Sequence, residues 1–175
     1  MSHTTVRKIG FKEALRRRVF IVFVARERDM TVLRRGKSPG WTVPSSARPG
    51  DMVVVYKPGA SAGYAGTRRE PFEVFVAAGI IYSRPRRLSS RLFNAPIAEV
   101  EMFPKPLPRL VLSEAFPEWR WLLHMHRSMG AEVPSPIVAD LLALIDRLAY
   151  GQSMAQVALS PKGSNTRRAN STIRR

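Results

Sequence analysis

Few residues in this 175-residue chain have the types and spacing that do chemistry, and most of those fail on inspection. Gly59-Ala-Ser-Ala-Gly63 has the Gly-x-Ser-x-Gly spacing of a nucleophile elbow. That device needs a strand before the serine and a helix directly after it, and Gly-Tyr-Ala-Gly-Thr is a poor helix, so a loop is expected around Ser61. Gly36-Lys37-Ser38 imitates the end of a phosphate-binding loop, but Thr31 stands where the first glycine is required. His124 and His126 are two apart in an expected helix and point to different sides, which excludes a metal pair. Glu99 and Glu101 share one face of an expected strand and could hold a metal in a nuclease, yet no second acidic cluster accompanies them. There are no cysteines, hence no disulfide, thiolate metal site or cysteine nucleophile. No catalytic residue, metal or cofactor is expected, and the chain reads as a non-enzyme.

What remains is charge. Twenty-nine Lys and Arg against thirteen Asp and Glu give +16. The ends concentrate it: residues 1–18 carry net +5 and residues 151–175 another +5. Such a field attracts polyanions, and phosphate backbones are the commonest of these in a cell. No uninterrupted apolar run approaches the roughly 20 residues needed to span a bilayer, and no amphipathic helix with a clean basic face suggests a membrane surface. Cytoplasmic location and no membrane partner are the default expectations.

The elements that must position any site follow from patterning. Residues 1–18 form a basic arm or short helix, 19–150 one folded domain, and 151–175 a basic tail without periodicity that reads as disordered. Val19 to Ala25 and Met52 to Lys57 are continuous apolar runs, as in strands buried on both faces. Arg26 to Lys37 reads as a short helix, Trp41 to Pro44 as extended chain, and Arg48-Pro-Gly-Asp51 as a turn. Phe72 to Ser83 reads as a strand bent at Gly79, and Arg84-Pro-Arg-Arg87 as a basic exit loop. Ile97 to Phe103 alternates as a half-wet strand, and Leu107 to Leu112 is a weak strand broken by Pro108. Residues 117–129 read as a helix opened by proline, with Trp119 and Trp121 on different faces and both in the core. Ser135-Pro136 starts another helix, its stripe formed by Ile137, Val138, Leu141, Leu142, Ile145 and Leu148. Short strands with two late helices predict an α+β fold built on a small mixed barrel.

One ordered combination goes further. A buried strand, a charged helical connection, Trp41-Thr-Val-Pro44, Pro49-Gly50-Asp51, Val-Val-Val-Tyr56 and a strand through Ala78-Gly79-Ile80 resemble the EVE domains of the PUA-like superfamily, relatives of the YTH readers. The likeness covers about residues 19–112. It implies a PUA-like barrel with peripheral helices that holds a flipped or single-stranded, modified base. By the same resemblance Trp41 is the stacking wall, Thr42, Val43, Pro44, Ser45 and Ser46 face the base edge, and Arg26 lies at the rim. Thr42 stands where the family has glycine, and no second tryptophan follows Arg87; Leu88, Leu92 and Phe93 are the candidates to complete the wall. Stacking on an aromatic face contributes about 1–3 kcal/mol per base, and a buried methyl about 0.8 kcal/mol. Extruding a base from a duplex costs a few kcal/mol, which phosphate contacts offset. Arg68, Arg69, Arg84, Arg86 and Arg87 are the phosphate candidates. The partner would be DNA or RNA, with a separate nuclease or effector chain as family context. Two alternatives stay open: a generic binder of ribosomal or transfer RNA without a base pocket, and a nuclease or hydrolase.

Overall fold

The computed structural model describes residues 17–24, 27–35, 40–59, 73–90, 93–127 and 130–151. The expected α+β class holds for them: three α-helices, one 3-10 helix and two sheets. Strand β1 (Val19–Phe23) pairs in parallel with β3 (Met52–Lys57), and Val19 lies opposite Met52. A parallel pair needs a crossover connection. Here it contains α1 (Glu27–Arg34) and the short strand β2 (Trp41–Val43). Strand β4 (Val74–Ile81) runs antiparallel to β3. The hairpin then continues through β5 (Arg86–Arg87), β6 (Phe93–Ala95) and β7 (Ile97–Pro108).

That hairpin makes the architecture. Its base pairs β4 with β7 in a five-stranded sheet of order β7-β4-β3-β1-β8, where β8 is Ala131–Glu132. Its tip pairs β5 with β6, which also pairs with β2 to form a three-stranded sheet. The chain turns from one sheet into the other at Tyr82, whose N–H donates to the Pro96 carbonyl. The large sheet is open at both edges, so the expected closed barrel is replaced by two sheets joined through one bent hairpin.

Both faces of the large sheet are covered, which explains the unbroken apolar runs of β1, β3 and β4. Val19, Ile21, Met52, Val54, Tyr56 and Phe75 pack under the helices α2 (Arg109–Ala115) and α3 (Ser135–Tyr150). On the opposite face Phe20, Val22, Val53, Val55 and Val76 pack with Met30 and Leu33 of α1 and with Trp41, Val43 and Ala95 of the small sheet. Each fully buried side chain of this size contributes about 1.5–3 kcal/mol.

Several expectations are corrected. Leu107 to Leu112 is not a strand: β7 ends at Pro108, which caps α2 and fixes its entry. Residues 120–127 form a 3-10 helix interrupted at His124 in place of an α-helix. Trp119, just before that helix, stacks on Trp121 within it, with ring centroids 5.4 Å apart; Trp119 is core as expected, while Trp121 is half-buried against the core. Glu99 has φ 50, and the β4–β7 register shifts beside it. Glu99 is exposed while Glu101, opposite Ala78, turns toward Tyr150. The two carboxylates therefore do not form a shared acidic face. Helix α3 carries the expected apolar stripe and ends on Gly151 in the left-handed region, but Pro134 stands at its N-cap and Ser135 donates no cap.

Candidate nucleic-acid interface

Proline and glycine place Trp41. Extended by the following Pro44, β2 carries Trp41 and Val43 inward and Thr42 outward, as strand alternation requires. Trp41 is only 4% exposed and belongs to the buried cluster with Phe20, Val22, Met30 and Leu33. Its ring fills the space between α1 and the large sheet. One feature separates it from an ordinary core ring. Its Nε1–H is buried and has no hydrogen-bond partner among the described residues. An orphaned donor of this kind costs about 1–3 kcal/mol of desolvation, and most native donors avoid it.

The proposed base-edge residues do not converge on that ring. Val43 is buried in the same cluster, whereas Thr42 is half-buried on the other face of the strand. Pro44 begins a turn closed by the Ala47 N–H donating to its carbonyl at 3.1 Å. Ser45 and Ser46 are exposed in that turn. The Ser45 carbonyl accepts from Arg48 Nη1 at 3.0 Å, and Ser46 Oγ donates to Glu132 Oε2 at 3.4 Å. Arg26, Arg68 and Arg69 lie outside the described residues, as do Ser61, Lys37, Leu92, most of the basic arm and the tail.

The Pro-Gly-Asp turn is structural. Gly50 takes φ 90, and Asp51, 8% exposed, accepts from the Arg48 backbone N–H at 2.7 Å and from Arg18 Nη2 at 2.6 Å. Arg18 also lies over the Phe20 ring. At least one arginine of the basic arm is therefore engaged in holding β3 against β1.

The small sheet assembles a row that sequence reasoning missed. Thr42 pairs with Asn94 and Asn94 with Arg86, so the three side chains follow one another across the outward face. Their strands are about 4.8 Å apart, which puts Thr42 and Arg86 within about 10 Å. Asn94 packs over Gly40, where any Cβ would collide with its amide. Arg84, Arg86 and Arg87 are all exposed and form no ion pair among the described residues. Arg87 Nε donates to the Ser89 carbonyl at 3.0 Å, which stiffens the tip of the hairpin. The only signal in the sequence was an arginine-rich stretch followed by Phe-Asn-Ala, too short to announce a strand.

At the far end of the large sheet lies a second polar group. Arg109 donates from Nη1 to the Leu122 carbonyl at 3.0 Å and from Nη2 to Glu73 Oε2 at 3.4 Å, beside the Tyr56 hydroxyl. Burial and the Glu73 charge push the Tyr56 phenol up to about 12, with Arg109 opposing them. Phe23 and Phe75 pack against the Tyr56 ring and Trp121 against Phe23, so this group ties α2 and the 3-10 helix to the sheet. Among the described residues no three His, Cys, Asp or Glu side chains are placed to hold a metal. No helix there is long and apolar enough to cross a membrane.

No family model matches the chain, and no curated protein matches it. Among solved structures it is similar to a crystal structure of a protein from Agrobacterium tumefaciens, a structural-genomics target. The two share 12% identity at a TM-score of 0.45, over 74% of this chain and 95% of that one.

Proposed function

We propose that this protein is a non-catalytic nucleic-acid binder. Its exposed arginines Arg84, Arg86 and Arg87 hold phosphates, and a flipped or unpaired, modified base is taken up against Trp41. The observation that carries the reading is the indole N–H of Trp41, without a partner among the described residues, on the inward face of the small sheet whose outward face carries the Thr42–Asn94–Arg86 row. A ligand that brings an acceptor to that donor recovers its desolvation cost, and phosphates beside the same sheet reach unpaired guanidinium groups. The order of elements supports a PUA-like relationship: Trp41 is on β2, Pro49-Gly50-Asp51 in the turn before β3, Tyr56 on β3 and Gly79 on β4. With the ring nearly closed off, base uptake is coupled to a local opening of its cover.

Its burial also favours a second reading, in which Trp41 is only core and the arginines bind any polyanion. Trp41→Ala cannot separate the two, since emptying a core site costs about 3–5 kcal/mol. Trp41→Phe keeps an aromatic ring while losing the indole N–H and only part of the buried ring volume. We expect wild type to bind single-stranded oligonucleotides bearing a modified cytosine or adenine more tightly than unmodified ones, and Trp41→Phe to lose most of that preference. Equal binding of all probes by both proteins, varying only with salt, would falsify the base-pocket reading and leave the electrostatic one.

A further inference from the structure

The outermost aromatic of the described chain is Tyr82, 73% exposed at the bend where β4 leaves the large sheet for the small one. Ordinary packing does not account for it: Ile81 before it is buried in the cluster that holds Trp41, and Tyr82 points the other way. Exposure then alternates along the chain, with Tyr82, Arg84 and Arg86 outward and Ser83 and Pro85 half-buried. The hydrogen bond from the Tyr82 N–H to the Pro96 carbonyl, 3.0 Å, fixes the backbone beneath the ring. Residues 82–94 contain four arginines and no acidic residue.

From this we infer that Tyr82 is a stacking platform for a nucleotide of single-stranded nucleic acid whose neighbouring phosphates lie on Arg84 and Arg86. The inference rests on the nucleic-acid reading above and adds a contact outside the Trp41 site. An exposed aromatic interleaved with cations is how sequence-tolerant single-strand binders work, because every base has a π-face. Tyr82 stands at the bend before Arg84 and Arg86; side chains two apart repeat about every 6.6 Å where the chain is extended, a spacing that suits the phosphate repeat of a stretched single strand. Continuing along the same face, Arg86 leads to Asn94 and Thr42, so the strand is led toward β2. Duplex is disfavoured, since its bases are already stacked and offer Tyr82 no face. An anionic lipid surface is disfavoured because, among the described residues, the exposed apolar area nearby is limited to the ring itself and Leu88.

The experiment is fluorescence anisotropy of the full chain with an unmodified, labelled single-stranded oligonucleotide, the matching duplex, and anionic phospholipid vesicles, at several salt concentrations. Tyr82 is so exposed that Tyr82→Ala leaves the fold intact, which thermal unfolding verifies. Tyr82→Ala is expected to weaken single-strand binding about ten-fold or more. The loss should be the same at every salt concentration, since stacking releases no counterions. Tyr82→Phe should bind as wild type, and duplex binding should be unaffected. Arg86→Ala should instead lower the salt slope by about 0.7. Single-strand binding unchanged in Tyr82→Ala overturns the platform while leaving the Trp41 preference to stand or fall on its own test. Equal losses on duplex, a loss seen only with vesicles, or no oligonucleotide binding by wild type also overturn it; the last removes the parent reading too.

Discussion

Tyr56 shows how one residue couples charge to the fold. Its hydroxyl is buried between the helical layer and the sheet, and burial leads the causes that raise its proton affinity, with the Glu73 carboxylate adding to it. A phenol near 12 when folded and near 10 when unfolded contributes stability that is fully present below pH 10 and is lost as pH rises through 12. The size is on the order of 2–3 kcal/mol. We expect the unfolding free energy to fall between about pH 10 and 12 in wild type, and the Tyr56 ring carbon signal in NMR to titrate near 12. Glu73→Gln removes a negative neighbour, so it should lower that midpoint and flatten the alkaline loss. A Tyr56 titration unmoved by Glu73→Gln would mean that burial acts alone. Trp41 is the contrasting residue: a buried donor with no partner among the described residues.

At the scale of elements, the strands buried on both faces were the legible part. The runs at Val19, Met52 and Val74 leave no alternative to strand, and the stripe of α3 leaves none to helix. The small sheet was not legible because β2, β5 and β6 are two or three residues long. Their pairing is imposed by the bent hairpin, a tertiary cause that leaves no local period. Helix α2 was misread because Pro108 can break a strand or open a helix, and only the helical cover over Leu112 decides. The same limit applied to the site: the arginines were visible as charge, whereas Asn94 and Tyr82 became visible only once the hairpin brought them beside β2 and the bend. Gly79, expected as a bend, lies inside the continuous strand β4, and the structure gives a different reason for a glycine there. A Cβ there would lie 2.4 Å from Ile97 Cγ2 and 3.1 Å from the Ala98 carbonyl, where β7 crosses β4 at the register shift. Gly79→Ala should therefore cost about 1–3 kcal/mol in denaturant unfolding. In an Ile97→Ala background the cost should shrink, giving a coupling of at least about 0.5 kcal/mol. Strict additivity would place the strain in the Ala98 backbone instead.

For the whole molecule the question is how +16 is divided between attraction and recognition. Charge at the two ends can raise affinity for any polyanion, but it cannot distinguish one base from another. On the reading proposed above, the described domain contributes the opposite through Arg86, which on a two-residue strand lies in register with Asn94 and Thr42. The two contributions separate by salt. Each phosphate neutralised on a single strand adds about 0.7 to the slope of log affinity against log salt. Replacing Lys162, Arg167, Arg168, Arg174 and Arg175 together by glutamine should lower that slope by up to about 3.5, if all five reach phosphates. Affinity for every oligonucleotide should fall by a similar factor, with the preference for a modified base and the Tyr82 contribution unchanged. Replacing Arg84, Arg86 and Arg87 by alanine should lower the slope by about 2 and also erode the preference, because it removes the groups that set the register of the strand over β2. If the tail substitutions erase the preference and the hairpin substitutions do not, recognition belongs to the tail, and the small sheet is only a structural cover for Trp41.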